Sequence, residues 1–153
     1  MTQEEIVQIL TGFLGTLGFA VLFNIKGKRM AAAAVGGLIS WTLFSMLNDC
    51  IESEAVNYFL VALIMSFYAE VMARVMKTPT TTFVTTTLIP LIPGGSLYYT
   101  MAYAFSGHLE SFLQKAIDTL QLASALALGI IISAMVTRVV CGISVGKRKP
   151  AAS

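Results

Sequence analysis

Residues 77–101 read KTPTTTFVTTTLIPLIPGGSLYYTM, and between Lys77 and Glu110 there is no Asp, Glu, Lys or Arg, only the titratable His108 as a possible charge at neutral pH. The stretch is apolar enough to enter a bilayer, yet it is rich in threonine, holds Pro79, Pro90 and Pro93, and ends its middle on Gly94-Gly95. An ordinary spanning helix is not built this way. Pro90 cannot donate to the Thr86 carbonyl, nor Pro93 to that of Ile89, and a Gly pair disfavours continued helix. The sequence therefore predicts that the backbone opens near 92–95. In hydrocarbon such an opening is tolerated only where protein or water covers it, and broken helices of this kind are one way to build a transport site. The competing reading is a proline kink that serves packing alone.

Working outward, the chain has 153 residues, 56% hydrophobic and 12% charged, with mean hydropathy +0.79 and net charge +2. That composition excludes a soluble domain. A span needs about 20 predominantly apolar residues, and the windows 6–25, 30–48, 55–76, 79–107 and 117–141 each supply them. The fold expected is an all-α integral membrane protein: one domain of five transmembrane helices, the fourth discontinuous at Pro90-x-x-Pro93-Gly94-Gly95, with a basic tail over 142–153. The start, MTQEE, lacks the positive region of a secretory signal, so the first span is expected to be retained.

Charge sets the threading. The 49–54 loop has three acidic residues and no basic one, whereas nine of the ten basic residues fall on the other face, Lys115 being the exception. The positive-inside rule makes that face cytoplasmic, with the N-terminus outside and the C-terminus inside. A re-entrant 79–107 segment would reverse the last span and strand Lys147, Arg148 and Lys149 outside, so a full crossing is preferred. Two half-helices exceed a core of about 30 Å, so a tilted or bent path is expected. The basic residues sit in short loops and imply no nucleic-acid partner; membrane lipid is the expected surroundings. Cys50 and Cys141 fall on opposite faces and cannot pair. There is no metal-ligand cluster, and neither a metal nor a cofactor is expected. Nor is there a Ser/His, Cys/His or paired-Asp arrangement at a depth that would suggest an enzyme.

Small residues mark packing faces: Gly12, Gly15 and Gly18 in the first span, Ala31–Ala34 with Gly36, Gly37 and Ser40 in the second, and Ala125, Gly129, Ser133 and Thr137 in the last. Residues 106–115 read as an outer loop with His108 and Glu110. Within the third span stand Glu70 and Arg74, spaced for an intrahelical ion pair. A charge at that depth is a functional candidate, and a topology anchor accounts for the pair equally well.

The break itself suggests a site. A half-helix starting near Ser96 would offer the amides of Gly95, Ser96 and Leu97 to a carboxylate, with Ser96 as cap. The carbonyls of Thr86 and Ile89, freed by Pro90 and Pro93, with hydroxyls of Thr82, Thr85 and Thr86, would accept from an ammonium or water. The candidate solute-binding residues are thus Thr82, Thr85, Thr86, Pro90, Pro93, Gly94, Gly95 and Ser96. Glu70 is the candidate for taking up a coupling proton, and Arg74 the one cation that could anchor a second carboxylate.

Three signatures together resemble the threonine/serine exporter family, in its C-terminal five-span half: GFAVLFN at 18–24, EVMARVMKTP at 70–79, and IPLIPGG at 89–95 followed by Tyr98 or Tyr99 and by Met101. The resemblance implies a bacterial inner-membrane exporter of small hydrophilic metabolites, proton-coupled and working by antiport. It further implies a two-component system in which a second membrane subunit supplies the N-terminal half this chain lacks. Threonine/serine-type and succinate-type export are both represented in that family, and a structural or assembly subunit is the remaining alternative. Homo-oligomers are compatible with the same faces.

Overall fold

The computed structural model describes the backbone of residues 3–146 and the side chains of 7–140. The expected basic tail with Lys147, Arg148 and Lys149 lies outside the described residues, as does the Cys141 side chain. Every element among the described residues is helical: α1 (Gln3–Leu22), α2 (Lys28–Asn48), α3 (Glu54–Val75), α4 (Thr80–Leu88), a 3₁₀ turn (Ile89–Leu91), α5 (Gly94–Phe105) and α6 (Leu109–Gly146). Three described helices, Lys28–Asn48, Glu54–Val75 and Leu109–Val140, are long and apolar enough to cross a membrane, and Val7–Leu22 is a shorter apolar helix. The 79–107 window is divided between α4 and α5, neither long enough to cross alone.

Helix ends follow local chemistry. At the end of α1, Asn24 takes a left-handed φ of 56°, and the Ile25 amide reaches back to the Ala20 carbonyl at 2.9 Å. The same closure recurs after α3, with Lys77 at φ 51° and Thr78 bonded to Ala73, and after α5, with Gly107 at φ 73° and His108 bonded to Tyr103. Each is a Schellman-type cap, which satisfies carbonyls that a helix end leaves orphaned. The 18–24 motif thus ends on the residue that stops a helix, and the 70–79 motif holds one at Lys77. Glycine at 107 adopts this conformation without strain; Asn24 tolerates it, and Lys77 does so at a cost.

Packing depends on side chains being absent. A Cβ on Gly36 would strike Thr87 and Tyr68, one on Gly37 would strike Thr16, and one on Gly129 would come to 2.8 Å from the Phe59 carbonyl. These contacts seat α4 and α1 on α2, and α6 on α3. Phe83 of α4 is fully buried among Ala32, Ala33, Ala69 and Ala73. A second cluster joins Leu88 and Leu91 to Tyr58, Val61, Ala62, Met65 and Leu122. Polar ties pin the helices in pairs: Tyr68 Oη donates to the Ala32 carbonyl (3.0 Å), Asn57 Nδ2 to the Phe44 carbonyl (3.1 Å), and the Thr100 and Thr119 hydroxyls meet at 3.0 Å.

These contacts fix the direction of α6. Lys115, Asp118, Gln121 and Leu122 flank Ser53–Ala55 at the start of α3, and Gly129 faces Phe59, Ala62 and Leu63 further along, so α3 and α6 run parallel. Thr119, level with the α3 start, bonds Thr100 of the antiparallel α5. The rest of α5 and the first turns of α6 therefore project past α3 as a hairpin. Where the sequence suggested a loop over 106–115, helix resumes at Leu109: Gly107 turns the chain within three residues, and Leu109, Phe112 and Leu113 sustain the helix. The excess length appears as this projection, since 38 residues of α6 reach about 57 Å.

Candidate functional site

The interruption between α4 and α5 is a defined structure. The Ile92 amide bonds the Ile89 carbonyl at 3.1 Å, closing the 3₁₀ turn. Ile92 is extended (φ −62°, ψ 124°), as a residue before proline prefers. Pro93, at φ −73° and ψ 60°, is then the centre of an inverse γ-turn in which the Gly94 amide reaches the Ile92 carbonyl at 2.6 Å. A new helix starts at Gly94.

This geometry redistributes the polar groups anticipated from sequence. The Ile89 carbonyl is occupied by Ile92, and the Leu97 amide by Pro93 at 3.0 Å. Of the first amides of α5, Gly95 and Ser96 are left. No side chain caps α5, whose N-cap is Pro93; Ser96 sits inside the first turn, where its carbonyl accepts the Thr100 hydroxyl at 2.7 Å. Gly94 and Gly95 are exposed, and a Cβ on either would meet nothing within 4 Å. Pro93 is buried.

The threonines of α4 divide by face. Thr86 is fully buried and donates to the Thr82 carbonyl at 2.8 Å, and buried Thr87 donates to Phe83 at the same distance. Thr82 and Thr85 instead line a hollow of about 260 Å³ with Thr81 and, from the end of α1, Phe23. A second hollow, about 370 Å³, lies between Gln8, Thr11, Gly12 and Gly15 of α1, Trp41 of α2, and Ile89 with Pro90. The structure thus brings Thr82 and Thr85 together, places Pro90 in a neighbouring hollow on the same pair of helices, and holds Thr86 inside the bundle. Sequence reasoning passed over Thr81 and Phe23. The i, i+4 relation of Thr81 to Thr85 was the available signal for the first; nothing local signalled the second.

Glu70 and Arg74 form the anticipated pair, with Arg74 Nη2 3.6 Å from Glu70 Oε2. The glutamate side chain is 17% exposed and the arginine 45%, so the carboxylate is sheltered and the guanidinium reaches outward. Lys115, the one basic residue away from the others, is 4.0 Å from Asp118 and stands close to Glu54. Among the described residues no cluster of metal-ligand side chains occurs.

Apolar helices of spanning length and a segment broken in its middle by two prolines define a multi-pass helical membrane protein. The family model described as "Threonine/Serine exporter, ThrE" matches residues 8–136. That match covers most of the chain, which therefore belongs to the threonine/serine exporter family, a family of transporters. No curated protein and no solved structure matches it.

Proposed function

We propose that this chain is the small subunit of a two-component, proton-coupled exporter of small hydrophilic metabolites of the threonine/serine type. It resides in a bacterial inner membrane with the N-terminus outside, and α4 and α5 together make the fourth of five crossings. The observation that carries the reading is the family match, which runs from α1 through the interruption and into the second half of α6. The interruption supports it because irregular backbone in a membrane is found where protein or a water-filled cavity covers it. A partner subunit is proposed because α1 and α5 leave large apolar and small-residue faces uncovered. Antiport follows if Glu70, sheltered on α3, carries the counter-moving proton.

A succinate-type solute would require a second cation. Arg74 is the candidate, and its guanidinium already sits 3.6 Å from Glu70; this favours the amino-acid reading. The decisive experiment is export from cells with this chain alone, with the partner alone and with both, screening threonine, serine and succinate. Threonine or serine efflux is expected only with both. Equal efflux from this chain alone would overturn the two-component reading, and succinate as the only exported solute would overturn the substrate class. Glu70→Gln is expected to lower amino-acid efflux more than Arg74→Lys, and the opposite ranking would favour a dicarboxylate. Pro93→Ala with Gly94→Ala, which favours continuous helix, is expected to abolish efflux at unchanged membrane levels. Wild-type efflux from that double variant would reduce the interruption to a packing kink.

A further inference from the structure

We propose that the two hollows between α1 and the α4–3₁₀ arm are one crevice that binds a small, polar, net-neutral solute through the hydroxyls of Thr81, Thr82 and Thr85. The proposal rests on the exporter reading and assigns it a place that the interruption alone does not. The hollows lie on one stripe of each helix: Gln8, Thr11, Gly15 and Phe23 along α1, and Thr81, Thr85 and Ile89 along the arm. Between them on α1, a Cβ at Gly15 or Gly18 would meet nothing within 4 Å, and Phe19 stacks on Phe23 at the edge of the first hollow.

The hydroxyl accounting points to a ligand. Most threonines elsewhere in the helices turn their hydroxyls back onto their own backbone four residues earlier, as Thr16 onto Gly12, Thr42 onto Leu38, Thr86 onto Thr82, Thr87 onto Phe83 and Thr137 onto Ser133; Thr80, in the first turn of α4, does not. Thr81, Thr82 and Thr85 have no such bond and no other partner among the described residues. For the first two the cause is local, because four residues back stand Lys77 and Thr78, which belong to the left-handed turn and present no helical carbonyl. Thr81 and Thr85 are exposed and Thr82 is half-buried, so their hydroxyls stand open to water or a solute, without which an unpaired hydroxyl in a poorly hydrated place costs about 1–3 kcal/mol. The other end of the crevice repeats the pattern. Trp41, which lines the second hollow, has a buried Nε1 without an acceptor among the described residues.

Charge limits the class of solute. Among the described residues lining the two hollows none is charged. An ion brought into such a site without a counter-charge is strongly disfavoured, whereas a solute that carries both its own charges, or none, needs only hydrogen-bond partners. The volumes suit a metabolite of a few heavy atoms together with some water.

The test uses the full chain co-expressed with its partner, with Cys50 and Cys141 replaced by serine. Gly15→Cys, Thr82→Cys and Thr85→Cys are compared with Leu128→Cys and Val139→Cys on the outer surface of α6. A membrane-impermeant methanethiosulfonate reacts with thiolates, which form in water and not in lipid. The crevice positions are expected to react at least about tenfold faster than the α6 pair and to be protected by L-threonine, not by succinate. Thr81→Val, Thr82→Val and Thr85→Val are each expected to lower efflux about three- to tenfold, the share of one hydrogen bond, with Thr→Ser retaining it. Reaction no faster than at Val139, with undiminished efflux from the triple valine variant, would overturn the crevice and leave the exporter reading standing. Protection by succinate alone would overturn the net-neutral class. Solvent-reactive crevice cysteines in a system that moves no solute would count against the exporter reading instead.

Discussion

The two arms of the interrupted segment, α4 and α5, are alike in sequence character and opposite in structure. Both are short, uncharged and rich in hydroxyl-bearing or aromatic residues. Four of the nine residues of α4 are buried, with the helix seated against α1, α2 and α3. None of the twelve residues of α5 is buried, and its packing partner is α6. The difference lies in what each arm faces. Opposite α4 stand Ala32, Ala33, Gly36, Ala69 and Ala73, which leave room for Phe83 and Thr87; α5 meets α6 through the Thr100–Thr119 hydroxyl pair and leaves Tyr98, Tyr99 and Phe105 outward. Hydrophobicity alone therefore does not decide which half of a broken helix enters a bundle. The size of the residues across from it does.

This contrast can be broken most directly at the aromatic rings. Phe83→Ala should destabilise the protein by about 3–5 kcal/mol through the cavity it leaves, whereas Tyr99→Ala in α5 should change stability by less than about 0.5 kcal/mol. Thermal unfolding in detergent reads both, and equal losses would mean that α5 is as integral to this chain as α4. A smaller effect is expected at the floor beneath α4: Gly36→Ala, whose new methyl meets Thr87 and Tyr68, should cost about 1–3 kcal/mol by overpacking, while Gly95→Ala, with open space around it, should not lower the melting temperature. The smallest change sharpens the comparison from the turn that launches α4. Lys77→Gly removes the left-handed strain and adds freedom to the unfolded chain, and the balance should raise stability by about 0.5–1 kcal/mol. A drop in melting temperature would show that the Lys77 side chain does more than occupy the turn.

Much of this architecture was legible in the residues. The Ala125–Thr137 stripe does face α3 through Gly129. The opening expected at 92–95 was only partly legible: α4 already ends at Leu88, Pro90 sits in the 3₁₀ turn, Ile92 and Pro93 form the link, and Gly94 and Gly95 begin α5 instead of interrupting it. The stripe of Gly12, Gly15 and Gly18 was also only partly legible: a Cβ on Gly12 would lie 3.6 Å from Trp41 and 3.7 Å from Pro90, whereas one on either of the others would meet nothing within 4 Å. Small residues permit a close approach without saying by what. The division of the threonines was not legible, since it depends on the rotation of α4 that the burial of Phe83 sets. Nor was the start of α5. Ser96 looks like a cap by residue type, but the γ-turn at Pro93 begins the helix two residues earlier and turns a would-be cap into a first-turn residue.

The three Schellman-type closures bear on where this chain can flex. After α1, α3 and α5 the turn is clamped by paired hydrogen bonds within two or three residues, and α6 is a single unbroken rod. Between α4 and α5 the link is Ile92 and Pro93, held by one short amide bond on each side. The projecting hairpin is therefore joined to the bundle in two unlike ways, through this two-residue link on the α5 side and through the continuous helix of α6, which packs along α3, on the other. A displacement of the hairpin would turn α5 about Ile92–Pro93 and require α6 to bend.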